Sequence, residues 1–133
     1  MPEASSPLDS YSDTEQAIFD AALTIFARDG RHGARMQAIA DAAEINKAML
    51  HYYFSDKETL YKAVFSFTMR RFMASFGASL NEAPTFEETL RIFIDGYVEF
   101  VRDNEAAMRL MVNENLAGGT LVGETLREAK QHD

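Results

Sequence analysis

Apolar residues recur at three- and four-residue spacing along most of the chain, which places them on one side of an α-helix. A capping box, Ser12-Asp13-Thr14-Glu15, stands before the first stripe, and Gly30 follows it. The pattern predicts a helix over residues 14–29 that Gly30 ends in a left-handed conformation. Its apolar stripe consists of Ile18, Phe19, Ala22, Leu23, Ile25 and Phe26.

Two short helices are predicted next, joined by Glu44-Ile45-Asn46, where Asn46 can cap the second of the pair. The first has Met36, Ile39, Ala40 and Ala43 on its apolar side, and the second covers Lys47 to Phe54. Two short helices joined by about three residues are the pattern of a helix-turn-helix. Periodicity alone fits any small helical hairpin equally well.

Two longer helices are predicted after the pair. Ser55-Asp56-Lys57-Glu58 is a second capping box and opens a fourth helix that ends near Gly77, before a loop at Leu80–Thr85. Thr85-Phe86-Glu87-Glu88 is a third box and opens a fifth helix. The apolar side of this fifth helix carries Leu90, Phe93, Ile94, Tyr97, Phe100 and Val101.

The C-terminal part of the chain adds two more helices. Asn104 is expected to cap a sixth helix at Glu105–Leu116, which Gly118-Gly119 ends, and a seventh begins at Leu121 and reaches Lys130. The sequence has no strand-like alternation, so the predicted fold class is all-α.

Composition excludes several classes of protein. The 133 residues, 47% hydrophobic, suit one domain or a small module rather than a disordered polymer, and they include no Cys that could form a disulfide or a thiolate site. Residues 1–11 read as a flexible leader without the features of a secretion signal, and no apolar stretch is long enough to span a membrane. We therefore expect a cytoplasmic protein without a membrane partner.

The net charge of −8 opposes contact with polyanions as a whole. The charge is unevenly distributed, because residues 14–57 contribute −1 and residues 58–133 contribute −4. Any contact with nucleic acid must therefore rely on the local placement of cations in the least acidic part of the chain.

Three motifs occur in order between Ala17 and Phe65. They are F-A-x-x-G (Phe26, Ala27, Gly30), I-A-x-x-A (Ile39, Ala40, Ala43) and L-x-x-Y-F-x-x-K-E-x-L (Leu50, Tyr53, Phe54, Lys57, Glu58, Leu60). In this combination the chain resembles the TetR (tetracycline repressor-like) family of bacterial transcriptional regulators. The resemblance implies a three-helix DNA-binding domain at 12–57 and a helical effector-binding and dimerisation domain at 58–133 that is incomplete here.

The resemblance also implies that the third helix enters the major groove of operator DNA, while Leu50 and Phe54 face the core. Bases would be contacted by Gln37, Ala48, Met49 and His51, and phosphates by Arg35, Lys47, Tyr52, Tyr53 and Lys57. Gln37 could instead bridge to the DNA backbone. Structural alternatives stay open for four of these. Lys47 and Lys57 can be solvated charges, Tyr53 can pack under the fourth helix, and His51 can satisfy local structure.

Three residues depart from the family pattern. Arg35 stands where a small hydroxyl residue usually caps the second helix, so a cap is lost while a stronger pair with phosphate becomes available. Glu44 replaces the usual turn glycine, and a left-handed conformation there costs about 1 kcal/mol. Ala48 replaces another common glycine. The family's long C-terminal pairing helices have no matching residues here, so its dimer surface is not carried over.

No constellation of residues supports catalysis. His32, His51 and His132 lack a metal-binding spacing, and the segment GGTLVG at 118–123 does not follow a predicted strand as a phosphate-binding loop would. We expect no enzymatic activity, no metal and no cofactor.

A soft, aromatic set of side chains lies on the fourth, fifth and sixth helices. Such side chains tolerate irregular cavities, so they could line a pocket for an apolar or aromatic effector, or they could form an ordinary core. Asn113, Glu114 and Asn115 could add polar contacts or face solvent. The set is Met69, Phe72, Met73, Phe76, Phe93, Tyr97, Phe100, Met108 and Met111.

Two hypotheses of function follow. The first is a repressor, homodimeric when full length, that binds a palindromic operator through the helix-turn-helix and is released by a small molecule. The second is a truncated helical module that binds a small molecule or a protein but not DNA, which the acidic net charge, Arg35 and Glu44 favour.

Overall fold

A computed structural model describes residues 11–75 and 85–131, and within these ranges the chain forms seven helices and no strand. This confirms the all-α prediction. Residues 1–10, Phe76, the expected helix end at Gly77, the loop residues 80–84 and His132 lie outside the described residues. The helices are α1 (Asp13–Gly33), α2 (Met36–Ala42), α3 (Lys47–Tyr53), α4 (Lys57–Ala74), α5 (Phe86–Asp103), α6 (Glu105–Leu116) and α7 (Thr120–Gln131).

Helix α1 begins as predicted and extends further than predicted. The Ser12 hydroxyl accepts a hydrogen bond from the backbone N–H of Glu15 at 3.2 Å, and the Glu15 carboxylate accepts one from the N–H of Ser12, which completes the capping box. Gly30 adopts φ 81° and ψ 168°, but a further turn follows it to Gly33. A residue without a Cβ kinks this helix rather than ending it.

Tyr11, which the sequence assigned to the flexible leader, is packed. Its ring meets those of Phe19 and Phe67 edge-on, with ring centroids 4.8 Å and 5.7 Å apart. Edge-on aromatic pairs of this kind stabilise the fold beyond the burial of the rings, so Tyr11 belongs to the packed part of the chain. Helical periodicity does not reveal the contact because Tyr11 precedes the cap.

The core lies between α1, α4 and the short helices α2 and α3. Helix α6 packs mainly along α1, and α7 packs on α4 and α6. This arrangement seats the two short helices on one end of a larger helical body. The largest side chains buried there are Phe19, Phe26, Phe65, Ile18, Ile39, Leu50, Leu60, Leu110 and Val64.

Two predicted caps differ from the structure. The N-cap of α4 is Asp56 rather than Ser55, since the Asp56 carboxylate accepts the N–H of Thr59 at 2.7 Å. Asn104 occupies the N-cap position of α6 without capping it, and its side-chain amide donates to the carbonyl of Phe100 at the end of α5. In both cases more than one hydrogen-bond partner is available close by in sequence. A capping motif does not predict which of the possible hydrogen bonds forms.

Helix α5 is capped as predicted, because the Thr85 hydroxyl accepts the N–H of Glu88 at 3.1 Å. Its apolar side, however, is buried at Phe100 alone. The other five predicted members are 39–50% exposed: Leu90, Phe93, Ile94, Tyr97 and Val101. An amphipathic stripe predicts which side avoids water but not what covers it, and in the described ranges the Phe72 ring of α4 reaches only the Tyr97 and Phe100 part of this side.

None of the helices within 11–75 and 85–131 combines the length and apolar character needed to cross a membrane.

Candidate nucleic-acid interface

The helix-turn-helix is built around a left-handed residue. Glu44, in the turn between α2 and α3, has φ 59°, as expected for a position that usually carries glycine. The N–H of Glu44 donates to the carbonyl of Asp41 at 3.1 Å, and the N–H of Ile45 donates to that of Ala40 at 3.0 Å. These two bonds hold the backbone of the turn and so fix the angle between the two helices.

Helix α3 divides into an inner and an outer side. Asn46 caps it by accepting the N–H of Met49 at 2.7 Å, and Leu50 and Phe54 point into the core, with 0% and 8% of their surfaces exposed. The side chain of Tyr52 is 83% exposed and Met49 is 40% exposed. The remaining predicted contact residues of the outer side, Lys47, Ala48 and His51, are exposed as well.

Tyr52 and Tyr53 occupy different environments although they are neighbours. Tyr53 is half-buried and packs against the core, which agrees with the structural alternative for this residue. Its ring meets that of Tyr52 edge-on, with centroids 5.3 Å apart. Tyr52 is therefore an exposed phenol braced by its neighbour, available to a partner at little cost in side-chain entropy.

The ring of His51 has a defined orientation. Its Nδ1 lies 3.0 Å from the carbonyl oxygen of Ser55, and a carbonyl can only accept, so Nδ1 carries the proton. In the neutral ring this leaves Nε2 as a hydrogen-bond acceptor. The imidazole thus satisfies local structure through one nitrogen and keeps the other for a donor such as a base amino group.

The two predicted contact residues of α2 are exposed but differ in their hydrogen bonds. Arg35 occupies the N-cap position of α2 and makes no side-chain cap, as its chemistry predicts. The side-chain amide of Gln37 donates to the carboxylate of Asp41 at 2.8 Å, one turn further along α2. Gln37 would have to exchange that bond to contact a base.

Lys57 is used inside the protein. Its ammonium donates to the backbone carbonyls of His32 and Ala34, at 3.0 Å and 3.1 Å, and so ties the first turn of α4 to the link between α1 and α2. The solvated-charge alternative therefore does not describe this residue. In the free protein the ammonium positions the motif, and a phosphate would have to compete with two carbonyls for it.

The nine residues proposed for an effector pocket are partly assembled. Met69, Phe100 and Met111 are buried in one core, and Phe72 and Met108 pack against it. The Phe72 ring lies 5.0 Å from Phe100 and 6.2 Å from Tyr97, centroid to centroid. Met73, Phe93 and Tyr97 are exposed, and Phe76 lies outside the described residues.

Clefts that the described residues form elsewhere include three that are not lined by that set. One follows α5 along Leu90 and Ile94, and another lies between α1 and α6 near Arg109. The third, about 350 Å³, is lined by Phe26, Gly30, Arg31, His32, Tyr61, Leu110, Asn113, Glu114 and Ala117. No group of three or more potential metal ligands is brought together within the ranges that the structure describes.

Sequence reasoning missed the polar contacts beside this third cleft. Glu114 is only 4% exposed, and its carboxylate accepts a hydrogen bond from the Tyr61 hydroxyl at 2.6 Å. A signal was present, since Glu114 continues the buried stripe of Ala107, Leu110 and Met111 at helical spacing. A carboxylate at such a position has to find a buried partner.

The comparisons with known proteins agree with this geometry. The model of the family described as "Bacterial regulatory proteins, tetR family" matches residues 18–64, the range that contains α2, α3 and most of α1. The chain belongs to the TetR family. Its helix-turn-helix, formed by α2 and α3, is thus the one of this family.

Two of the curated relatives of this chain are helix-turn-helix transcriptional regulators. The HTH-type transcriptional regulator RutR of Escherichia coli (strain K12) is 36% identical over 118 residues, covering 88% of this chain and 55% of that protein. The HTH-type transcriptional repressor SCO4008 of Streptomyces coelicolor is 28% identical over 120 residues, covering 90% and 58%. The chain therefore spans little more than half the length of these relatives.

Crystal structures of other proteins share this fold. The structure of a TetR-like transcriptional regulator from Rhodococcus sp. RHA1 superposes with a TM-score of 0.75 at 28% identity. The match covers 89% of this chain and 64% of that one. The similarity therefore extends past the helix-turn-helix into the helices that follow it.

Proposed function

We propose that this chain acts as a transcriptional regulator that contacts duplex DNA through α2 and α3. The observation that carries the proposal is the two-sided character of α3. Leu50 and Phe54 anchor its inner side in the core, while Lys47, His51 and Tyr52 stand exposed on its outer side. A short helix held in this way is the element that a helix-turn-helix lays in the major groove.

Each exposed group has a distinct role in the proposal. Lys47 and Tyr52, joined by Arg35 from the start of α2, contact phosphates and set the position of the helix. The Nε2 of His51 accepts from the amino group of adenine or cytosine, and Met49 lies against a thymine methyl group. The methyl group of Ala48 lies against a thymine methyl group in the same way. Tyr53 and Lys57 act mainly by holding the motif.

The operator in this proposal is palindromic and the complete protein is a homodimer. A single motif covers one half-site, so two copies related by a two-fold axis would read both halves. The apolar residues exposed along α5 support contact of that helix with another protein chain, since large exposed apolar patches mark protein–protein interaction sites. The proposed regulatory sign is repression.

The effector in this proposal is a small apolar or aromatic molecule. It would bind among Met69, Phe72, Phe100 and Met111, where α4, α5 and α6 meet around soft side chains. A ligand that binds one arrangement of these helices better than another shifts the population between them. Release of the operator would follow if the favoured arrangement spaces the two motifs poorly.

A helical module without DNA binding is the second candidate. The net charge of −8 favours it, as do the exposed Glu44 and Asp41 beside the proposed DNA surface. The two candidates differ in their dependence on salt, since contact with phosphates releases counterions and weakens steeply as salt rises.

The test is fluorescence anisotropy with a duplex from the region upstream of the protein's own gene. The double variant Lys47→Ala, Tyr52→Ala should weaken binding at least tenfold and flatten the salt dependence. The matched control is Phe86→Ala, Arg91→Ala, which also removes one exposed aromatic ring and one cation, but from α5. Equal affinity of wild type and the first variant would refute the DNA surface, and equal loss in both would show non-specific attraction.

A further inference from the structure

A set of four polar side chains joins α6 to the DNA-binding motif, and we call it the polar joint: Arg31, Glu58, Tyr61 and Glu114. Glu114, on α6, lies at the centre. One of its carboxylate oxygens accepts the Tyr61 hydroxyl at 2.6 Å, and the other lies 3.7 Å from the Arg31 guanidinium. A carboxylate that is 4% exposed is costly unless it is paired in this way, so the contacts define its position closely.

Arg31 binds three groups at once. Its guanidinium pairs with the Glu58 carboxylate at the start of α4, faces Glu114, and lies over the Tyr61 ring, 4.7 Å from the centroid. Burial, and then the hydrogen bond to Glu114, raise the pKa of Tyr61 well above its usual value. The phenol therefore remains a proton donor to the carboxylate across the physiological range of pH.

The polar joint continues directly into the helix-turn-helix. Glu58 holds Arg31 on one side of the link between α1 and α2, while the adjacent Lys57 holds the carbonyls of His32 and Ala34 in the same link. This link leads into α2, whose first residue is Met36. A shift of α6 would therefore reach the motif through a short series of polar contacts.

We propose that Glu114 is a positioning residue that fixes α6 on the DNA-binding motif, so that movement of α6 reaches the motif through Tyr61 and Arg31. The inference concerns the geometry of the free chain, and its regulatory meaning rests on the proposed function. The four side chains act as a unit because each oxygen of one carboxylate serves a different helix, Tyr61 on α4 and Arg31 on α1.

The experiment measures the distance between α6 and α2 with paired spin labels. The chain has no Cys, so Ala42→Cys and Val112→Cys, both at exposed positions, give a single labelled pair without background. Glu114→Gln should broaden the distance distribution and shift its mean on the order of 1–2 Å, the usual size of helix shifts. The matched control is Glu105→Gln on the same helix, where the carboxylate is exposed and pairs with Arg109.

A second variant keeps the test decisive if Glu114→Gln folds poorly. Tyr61→Phe removes one hydroxyl and leaves Glu114 beside Arg31, so it should give the same change with smaller amplitude. Because the joint acts as a unit, the double variant should broaden the distribution no more than Glu114→Gln alone. A distribution as narrow as wild type in both single variants would overturn the proposal, and so would an equal change in the Glu105→Gln control.

This measurement needs no DNA. A chain that shows the expected broadening but does not bind duplex DNA would refute the proposed function and leave the polar joint standing. A chain that binds DNA through α3 but keeps a narrow distance distribution in the variants would refute the polar joint and leave the proposed function standing.

Discussion

Replacing Glu44 by glycine should stabilise the protein. The backbone at this residue is left-handed, with φ 59°, and hydrogen bonds at 3.1 Å and 3.0 Å from Glu44 and Ile45 to the end of α2 prevent it from relaxing. This conformation lowers the stability of the folded protein by about 1–2 kcal/mol when the residue has a Cβ. Glycine avoids that loss but gives up about 0.5–1 kcal/mol of chain entropy on folding.

The mid-range values of these two terms leave a net gain of about 0.75 kcal/mol for Glu44→Gly, which raises Tm by about 2–4 °C in a chain of this size. Thermal and urea unfolding followed by circular dichroism measure both quantities. Glu44→Gln is the matched control, because it removes the charge and keeps the Cβ. If the Gly and Gln variants melt at the same temperature, the strain at this turn is not as described. Both variants should bind DNA more tightly than wild type, since each removes an anion beside the DNA surface.

Three further predictions follow from single side chains. The hydroxyl of Thr68 is buried without a hydrogen-bond partner in the part of the chain that the structure describes, so Thr68→Val should raise the free energy of unfolding by about 1 kcal/mol in urea titrations. Asp56→Ala should lower Tm and Ser55→Ala should not, and the Asp56 effect should fade in acid. The Thr59 N–H lowers the pKa of Asp56, so its contribution is present above the usual Asp range and is lost as pH falls through the lowered value. Leu50→Ala should cost about 2–5 kcal/mol of stability by calorimetry, whereas Tyr52→Ala should cost about 1 kcal/mol or less, because it removes only an exposed ring that meets Tyr53 edge-on.

Local patterns predicted the helices and the motif. Ser12, Asn46 and Thr85 cap their helices through hydrogen bonds that span three residues, and such contacts can be read directly from spacing. The left-handed turn at Glu44 was predicted from family resemblance and is confirmed by its φ angle. These features depend on neighbours in sequence, which is why they were predictable.

Contacts between distant residues were not predictable in the same way. The Tyr61–Glu114 bond joins residues 53 apart in sequence, and the Arg31–Glu58 pair joins residues 27 apart. The hydrogen bonds of the Lys57 ammonium depend on the positions of the backbone carbonyls of His32 and Ala34, at the C-terminal end of α1. The helical pattern placed Glu114 on a buried stripe but could not name its partner.

The roles of individual residues in DNA contact stay predictions. The structure shows which side of α3 is exposed, and this follows from the burial of Leu50 and Phe54. The choice between a base and a phosphate for each exposed group depends on the DNA itself. Exposure of the apolar side of α5 is a similar case, because a stripe on a helix does not identify its partner.

The most direct test of the DNA surface is a titration of the ¹⁵N-labelled chain with duplex DNA, followed by the chemical shifts of its backbone amides. The proposed function predicts that the largest shifts fall on α3, the turn at Glu44 and the start of α2 at Arg35, and that they diminish as salt is raised. Amides along α5 and α7 should move little. Shifts concentrated on α5, or no shifts at any DNA concentration, would contradict the assignment of α2 and α3 as the nucleic-acid interface.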